Sequence, residues 1–232
     1  MEKITIGEEL NLTYQEKESF RTLRTNIEFT GVENRVIAVT SVAPGDGKTT
    51  VAYHLASAFA ESGHRTLLID ADLRKSVLIH RLGIREAVKG LSYYLAGQEK
   101  MGDVIYSTNK KDLFIMPSGV FPVNPTELLG NTRFTQMIPV LKNTFDYVFI
   151  DTAPLSSVID AAVVAKACDG SILVLAADGV SRTEAKNVVD QLKTANSNLL
   201  GVVLNKVNLS KNSYYGKYGA YGRYGAYYGK KD

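Results

Sequence analysis

The segment Ser41-Val-Ala-Pro-Gly-Asp-Gly-Lys-Thr-Thr50 constrains this chain more than any other. It lies between the apolar run RVIAVTS (35–41) and a helix-forming stretch that begins at Lys48 and is closed by Gly63. Glycines in such a loop let backbone N–H groups curl around phosphate oxygens, and the helix that follows offers the positive end of its dipole. In that context Lys48 is expected to reach the β- and γ-phosphates of a nucleoside triphosphate, and the Thr49 hydroxyl to meet Mg²⁺. Ala43, Pro44, Gly45, Asp46, Gly47 and Thr50 complete the expected phosphate shell. Val42 stands where the general pattern begins with glycine, and the strand–loop–helix context carries the assignment in its place.

The rest of the chain repeats the same alternation. Apolar runs at 65–70 (RTLLID), 113–117, 147–151 (YVFID), 171–176 and 199–205 read as strands, and 132–142, 158–167 and 181–195 as helices between them. Short, continuously apolar strands separated by helices predict an α/β fold of the P-loop NTPase type, with a mostly parallel sheet covered on both faces. Phe20, Leu23, Ile27 and Phe29 recur at near-helical spacing and predict an amphipathic helix over 14–30. Residues 1–13 read as loosely ordered. Three parts are therefore expected: an N-terminal segment and helix (1–30), a nucleotide-binding domain (31–209) and a tail (210–232).

A length of 232 residues suits one α/β domain, and 45% hydrophobic with 22% charged residues is ordinary for a soluble protein. The apolar runs fall short of the ~18 residues that would cross a bilayer. The N-terminus has no basic start followed by an apolar stretch, so a cytoplasmic protein is expected. The single cysteine, Cys168, leaves no internal disulfide or cysteine metal cluster, and His54, His64 and His80 lack ligand spacing.

Two acidic sites accompany the loop. The second strand runs into Asp70-Ala-Asp72-Leu-Arg74, which places Asp70 and Asp72 at the carboxyl edge of the sheet, where open α/β sheets bind ligands. The strand YVFID ends in Asp151, the expected second carboxylate for Mg²⁺. Asn205-Lys206 closes the last strand, where a base-reading asparagine or a plain turn would both fit.

Glu18, Arg21 and Arg24 form E-x-x-R-x-x-R on the first helix, a stripe about 120° wide. It suits contact with a neighbouring subunit or a solvated face with a local Glu18–Arg21 pair. The tail reads differently again. Residues 211–232 carry five basic residues and Asp232, a net +4, which leaves 3 − 4 = −1 for the remainder. Seven of the 13 tyrosines lie there: Tyr214, Tyr215, Tyr218, Tyr221, Tyr224, Tyr227 and Tyr228. Such a segment has no apolar periodicity and is expected to be flexible. It could stack on nucleic acid, accept phosphate, or do neither.

Taken together, SFRTLRTNIEF (19–29), TSVAPGDGKTT (40–50), LLIDADLR (67–74), NPTELL (124–129), FIDTAP (149–154) and the tyrosine cluster resemble the bacterial tyrosine kinases of capsule and exopolysaccharide synthesis, of the separate-polypeptide CpsD/CapB type. The resemblance implies that Lys48, Thr49, Asp70, Asp72 and Asp151 hold ATP–Mg²⁺, with Arg74 and Asn205 beside the nucleotide. It implies that Glu18, Arg21 and Arg24 build a ring-shaped homo-oligomer in which each tail is phosphorylated in trans. It also implies a transmembrane activator on a separate polypeptide, recruitment to the inner face of the membrane, and a cognate tyrosine phosphatase, with no nucleic-acid partner. Ser76 and Ala153 stand where proline is common in such kinases, and Ser76 is expected to alter a local turn only.

Catalysis is expected from Lys48, Asp70 and Asp72. Phosphoryl transfer asks for positioning and charge neutralisation more than covalent chemistry. Asp72 could orient or deprotonate the acceptor hydroxyl or bind the metal. One rival is a MinD/ParA-like ATPase, whose signature lysine would occupy the position of Ala43. Another is a non-catalytic, nucleotide-gated scaffold.

Overall fold

A computed structural model of the protein describes residues 2–7, 12–177, 179–195 and 197–207. Its first helix, α1 (Tyr14–Glu28), starts where Thr13 and Glu16 form a reciprocal capping box, satisfying backbone donors that the first turn leaves open. Strand β1 (Val36–Ser41) is buried throughout and feeds α2 (Lys48–Glu61). Then follow β2 (Thr66–Asp70), the short helices α3 (Leu78–Arg81) and α4 (Leu91–Leu95), and strands β3 (Tyr106–Ser107) and β4 (Leu113–Met116). Helices α5 (Pro125–Leu129) and α6 (Thr132–Thr144) lead to β5 (Tyr147–Asp151). The chain continues through α7 (Asp160–Lys166), β6 (Gly170–Ala176), α8 (Arg182–Thr194) and β7 (Leu199–Asn205).

The seven strands form one sheet in the order β3-β4-β2-β5-β1-β6-β7, parallel except for the β3–β4 pair. Two apolar layers follow from the two-residue period of a strand. Val36, Ala38, Leu67, Ile69, Val148, Ile150 and Leu173 face the layer with α6, α7 and α8. Ile37, Val39, Leu68, Phe149, Ile172 and Val174 face the layer with α1 and α2. Strands flanked on both faces need apolar residues at every position, which is why these runs read as continuous.

The α/β class, the mostly parallel sheet and the six longer strands are as the sequence predicts. Four features differ. The two-residue β3 carries too short a signal to register as a strand, and it exists because Tyr106 and Ser107 pair with Ile115 and Phe114. The short helices α3, α4 and α5 lie below the length at which apolar periodicity is visible. Helix α1 ends at Glu28, and Phe29 is exposed. Residues 2–7 are held rather than loose. Ile4 and Ile6 are buried, Ile4 N–H donates to the Ser107 carbonyl at 2.9 Å, and Gly7 N–H to that of Leu82 at 2.9 Å. Two buried isoleucines outweigh the polar residues around them. Among the described residues no helix is long and apolar enough to cross a membrane.

Candidate functional site

Strands β2, β5 and β1 are neighbours, so their carboxyl ends bring Asp70, Asp151 and the start of the loop together; Asp70 and Asp151 are register partners. After Ser41 the chain turns through a loop in which Gly45 and Gly47 take φ of 89° and 94°, a left-handed conformation open to glycine. The loop is braced from within. Asp46, which the motif places among the phosphate contacts, turns its carboxylate to the Ala43 N–H at 2.8 Å. Asn205 donates its side-chain amide to the Asp46 carbonyl at 2.8 Å. Asn205 thus contacts the loop.

Lys48 opens α2 and is almost sealed from solvent. Its Nζ lies 3.2 Å from Asp72 Oδ2 and 3.5 Å from Asp151 Oδ1. Burial opposes its charge, yet Asp151, Asp72 and Asp70 outweigh it and lift the ammonium above its ordinary pKa. The carboxylates feel the converse. Burial, followed by the charge of Asp151, pushes Asp70 up to about 7. Burial likewise raises Asp151, against the pull of Lys48. Ser76 donates its hydroxyl to Asp70, so the serine reaches past the local turn to the acidic site.

Three carboxylates thus surround one ammonium, a surplus of negative charge suited to a cation. Asp151 Oδ1 is buried and, apart from the ammonium of Lys48 at 3.5 Å, meets no hydrogen-bond donor, an atom a metal-bound water could satisfy. Among the described residues no three acidic or imidazole groups converge as a ready metal cage. That arrangement fits Mg²⁺, which keeps several waters and takes one or two carboxylates together with substrate phosphates.

A cavity of about 350 Å³ opens above, lined by Pro44, Gly45, Gly47, Lys48, Thr49, Asp72 and Arg74 from the expected set. Asp70 and Asp151 lie beneath it. Lys75, Val77, Arg81, Ser157 and Val158 also line it and have no motif of their own. Lys75 follows the acidic motif directly, which is the one signal that could have singled it out. Arg81 donates to the Thr50 hydroxyl at 2.7 Å, joining α3 to the loop helix. Arg74 is held at the rim by Asp160, through Nε to Oδ2 at 2.7 Å, and by Thr126 at 2.9 Å. Thr126 belongs to the NPTELL segment, which thereby packs on the site.

On α1, Glu18 and Arg21 pair with each other on the surface. Arg24 instead donates to the Ala58 carbonyl of α2 at 3.2 Å and stands 3.5 Å from Glu28. The seven tail tyrosines, Tyr214 to Tyr228, lie outside the described residues.

The AAA domain family matches residues 34–207. The tyrosine-protein kinase CpsD of Streptococcus agalactiae is 44% identical over 215 residues, covering 92% of this chain and 94% of that protein. The solved kinase domain of the Escherichia coli tyrosine kinase ETK superposes with a TM-score of 0.77 at 33% identity, over 83% of this chain and 77% of that one. The septum site-determining protein MinD of Pyrococcus horikoshii, solved with Mg-ADP, gives 0.65 at 29% identity, over 77% and 72%. MinD shares the architecture, while identity along nearly the whole length lies with the kinases. This chain belongs to the bacterial tyrosine-protein kinases.

Proposed function

We propose that the chain transfers the γ-phosphoryl group of ATP to tyrosines of its own tail, in trans between subunits of a ring, as part of capsular or exopolysaccharide synthesis and export. The observation that carries the catalytic part is the buried Lys48 set among Asp70, Asp72 and Asp151 at the head of the loop helix. The loop amides and Lys48 hold the phosphates and neutralise charge on the group in flight. Thr49, Asp70 and Asp151 would hold Mg²⁺, directly or through water, and Asp72 would serve the acceptor in place of the metal. Bound there, the ion would screen the β- and γ-oxygens.

In the transfer, the tyrosine oxygen bonds to the γ-phosphorus while the bond from that phosphorus to the β–γ bridging oxygen breaks, and ADP leaves. The phenolic proton goes to a carboxylate. Asp72 suits that role because it lines the cavity where Asp70 and Asp151 do not. A free phenol has a pKa near 10, so a base at this point lowers the barrier. Arg74, anchored by Asp160, adds positive charge at the rim. Asn205 supports the nucleotide through the loop it braces.

The tail's charge makes it a switch. Each phosphotyrosine adds about −1.5 to −2, so seven add roughly −10 to −14 and reverse the +4 of residues 211–232. An unmodified tail is drawn to a site crowded with phosphate, and a modified one is repelled. Glu18, Arg21 and Arg24 would join the subunits, a separate transmembrane activator would bring them to the inner face of the membrane, and a tyrosine phosphatase would reset them.

The test mixes two chains with labelled ATP and Mg²⁺. One is Lys48→Met with an intact tail; the other has Lys48 but phenylalanine at all seven tail positions. Label on Tyr214–Tyr228 of the first chain, mapped by mass spectrometry and abolished when both chains are Lys48→Met, is the expected result. An unlabelled tail, even with the membrane activator present, would overturn the proposal.

A further inference from the structure

The loop between β4 and α5 sets Val120, Phe121 and Val123 in solvent, at 56%, 58% and 97% exposure. Ile159, the residue before α7, stands at 64%. Four of the ten large apolar residues exposed among the described residues thus fall in two short segments. The segments are joined, because the Thr126 hydroxyl donates to Asp160 Oδ1 at 2.6 Å, between residues that closely follow Val123 and Ile159. Apolar side chains gathered in water in this way mark a contact surface.

The patch borders the nucleotide cavity. Val158 and Arg74 line that cavity, and Arg74 is held by the same Thr126 and Asp160. Strands β4 and β5 flank β2 and run parallel to it, so the segments that follow them leave the carboxyl edge on either side of Asp70. The patch therefore adjoins the segment after β2 that carries Asp72 and Arg74.

The tail carries a matching period. From Tyr215 it runs Tyr-Gly-Lys, Tyr-Gly-Ala, Tyr-Gly-Arg, Tyr-Gly-Ala and Tyr227, a tyrosine at every third residue. Three residues span about 9–10 Å in a polyproline-like or extended chain. Tyr218, Tyr221 and Tyr224 thus each have a second ring at that distance on both sides. The third residue of the triplet is basic at Lys217 and Arg223, and Glu127, exposed four residues after Val123, offers the opposite charge.

We propose that the patch of Val120, Phe121, Val123 and Ile159 is a docking site for this repeat. When one tyrosine of a neighbouring copy's tail presents its hydroxyl at Asp72, the ring three residues away rests on the patch. On the kinase reading above, on which this role rests, the patch selects a tyrosine with an aromatic ring at triplet spacing over a lone tyrosine. Sliding the tail by one triplet restores the same contacts, so successive tyrosines are presented in one register.

The test uses the full chain with Mg-ADP and fluorescent peptides of residues 217–225, with Tyr221 as the one acceptor. In the first peptide, Tyr218→Phe and Tyr224→Phe keep the rings at triplet spacing. In the second, Tyr218→Ala and Tyr224→Ala remove them. In the third, those alanines are joined by Ala220→Phe and Gly222→Phe, which move the rings next to Tyr221. Fluorescence anisotropy is expected to show the first bound about tenfold more tightly than the others, the effect of covering one ring. Phe121→Ser with Val123→Ser, at exposed positions, is expected to erase that preference and to leave Tm and the KM for ATP unchanged. With Mg-ATP the first peptide is expected to have the lowest KM, at a similar kcat. Equal binding of the three peptides would overturn the proposal. So would a preference that survives in the variant; if large oligomers dissolve there, the patch joins subunits instead. Ring-dependent binding without phosphoryl transfer would sink the kinase reading and leave the docking site standing.

Discussion

The side-chain amide of Asn205 donates to the carbonyl of Asp46 at 2.8 Å, so the last strand of the sheet holds the underside of the phosphate loop. A β-carbon on Gly47 would come within 2.2 Å of the same amide, at a backbone φ of +94° that side chains rarely adopt. Asparagine and glycine are therefore fitted to each other across 158 residues of chain, 205 − 47.

This pairing predicts that Asn205→Ala acts through the loop. Loss of one such bond costs about 0.5–1.5 kcal/mol. In a domain of this size each kcal/mol is worth about 2–4 °C of Tm. The KM for ATP is expected to rise several-fold, with the preference for ATP over GTP unchanged. Kinetics with both nucleotides checks this. A lost preference would show instead that Asn205 reads the base. Gly47→Ala is expected to be worse, and combining it with Asn205→Ala to relieve the collision but not the backbone strain.

The acidic site predicts a pH dependence in metal-free, nucleotide-free protein. Burial raises both Asp70, to about 7, and Asp151, so the folded chain holds these protons more tightly than the unfolded one. Their contribution to stability is therefore complete below an ordinary carboxylate pKa of about 3.9 and is lost as pH rises towards about 7. Asp70→Asn removes one of these two raised acids. It is expected to flatten the fall in Tm between about pH 4 and 7, to raise Tm at pH 8 by a few degrees, and to abolish phosphoryl transfer. Calorimetry in the presence of a chelator measures it; a variant that follows the parent at every pH would refute the assignment.

Much of this site is legible before any coordinates. Lys48 is marked by the glycine loop before it, and Asp70, Asp72 and Asp151 by strands that run into or just short of them, because a buried parallel strand leaves its first polar residue at the carboxyl edge. The bracing is not legible. Nothing local says that Asp46 turns inward to Ala43, or that Arg74 finds Asp160, 86 residues on. The first is a contact within one loop that the motif does not specify, and the second depends on the order in which strands assemble. Ile4 and Ile6 were missed for a related reason: two apolar residues in a polar segment show no periodicity, and their burial is decided by β3, itself only two residues long.

Arg74 and Asp160 supply a third prediction. Asp160 is 1% exposed, and both its oxygens are taken, Oδ2 by Arg74 Nε and Oδ1 by Thr126 at 2.6 Å. Arg74→Ala leaves that carboxylate buried with one partner fewer. Because the arginine side chain is 40% exposed, the cost is placed at about 1–3 kcal/mol rather than at the value for a fully buried pair. Asp160→Asn, which keeps the shape and removes the charge, is expected to cost less stability but to raise the KM for ATP, since Arg74 then loses its anchor. A denaturant series with kinetics on both variants separates the two effects. Equal KM values in parent and Asp160→Asn would show that the anchor does not serve the nucleotide.

The surface motif on α1 divides by geometry into two kinds of residue. Glu18 and Arg21 pair with each other at the surface, a contact worth a few tenths of a kcal/mol within the subunit. Arg24 is tied inward, to the Ala58 carbonyl and towards Glu28. If the helix joins subunits, Glu18→Ala with Arg21→Ala is expected to dissolve large oligomers while leaving Tm and ATP binding within error of the parent. Arg24→Ala is expected to lower Tm by a few degrees as well, because it frees α1 from α2. Light scattering and calorimetry on the two variants tell these apart. Unchanged assembly in Glu18→Ala with Arg21→Ala would mean that this pair faces water and that any ring is built elsewhere.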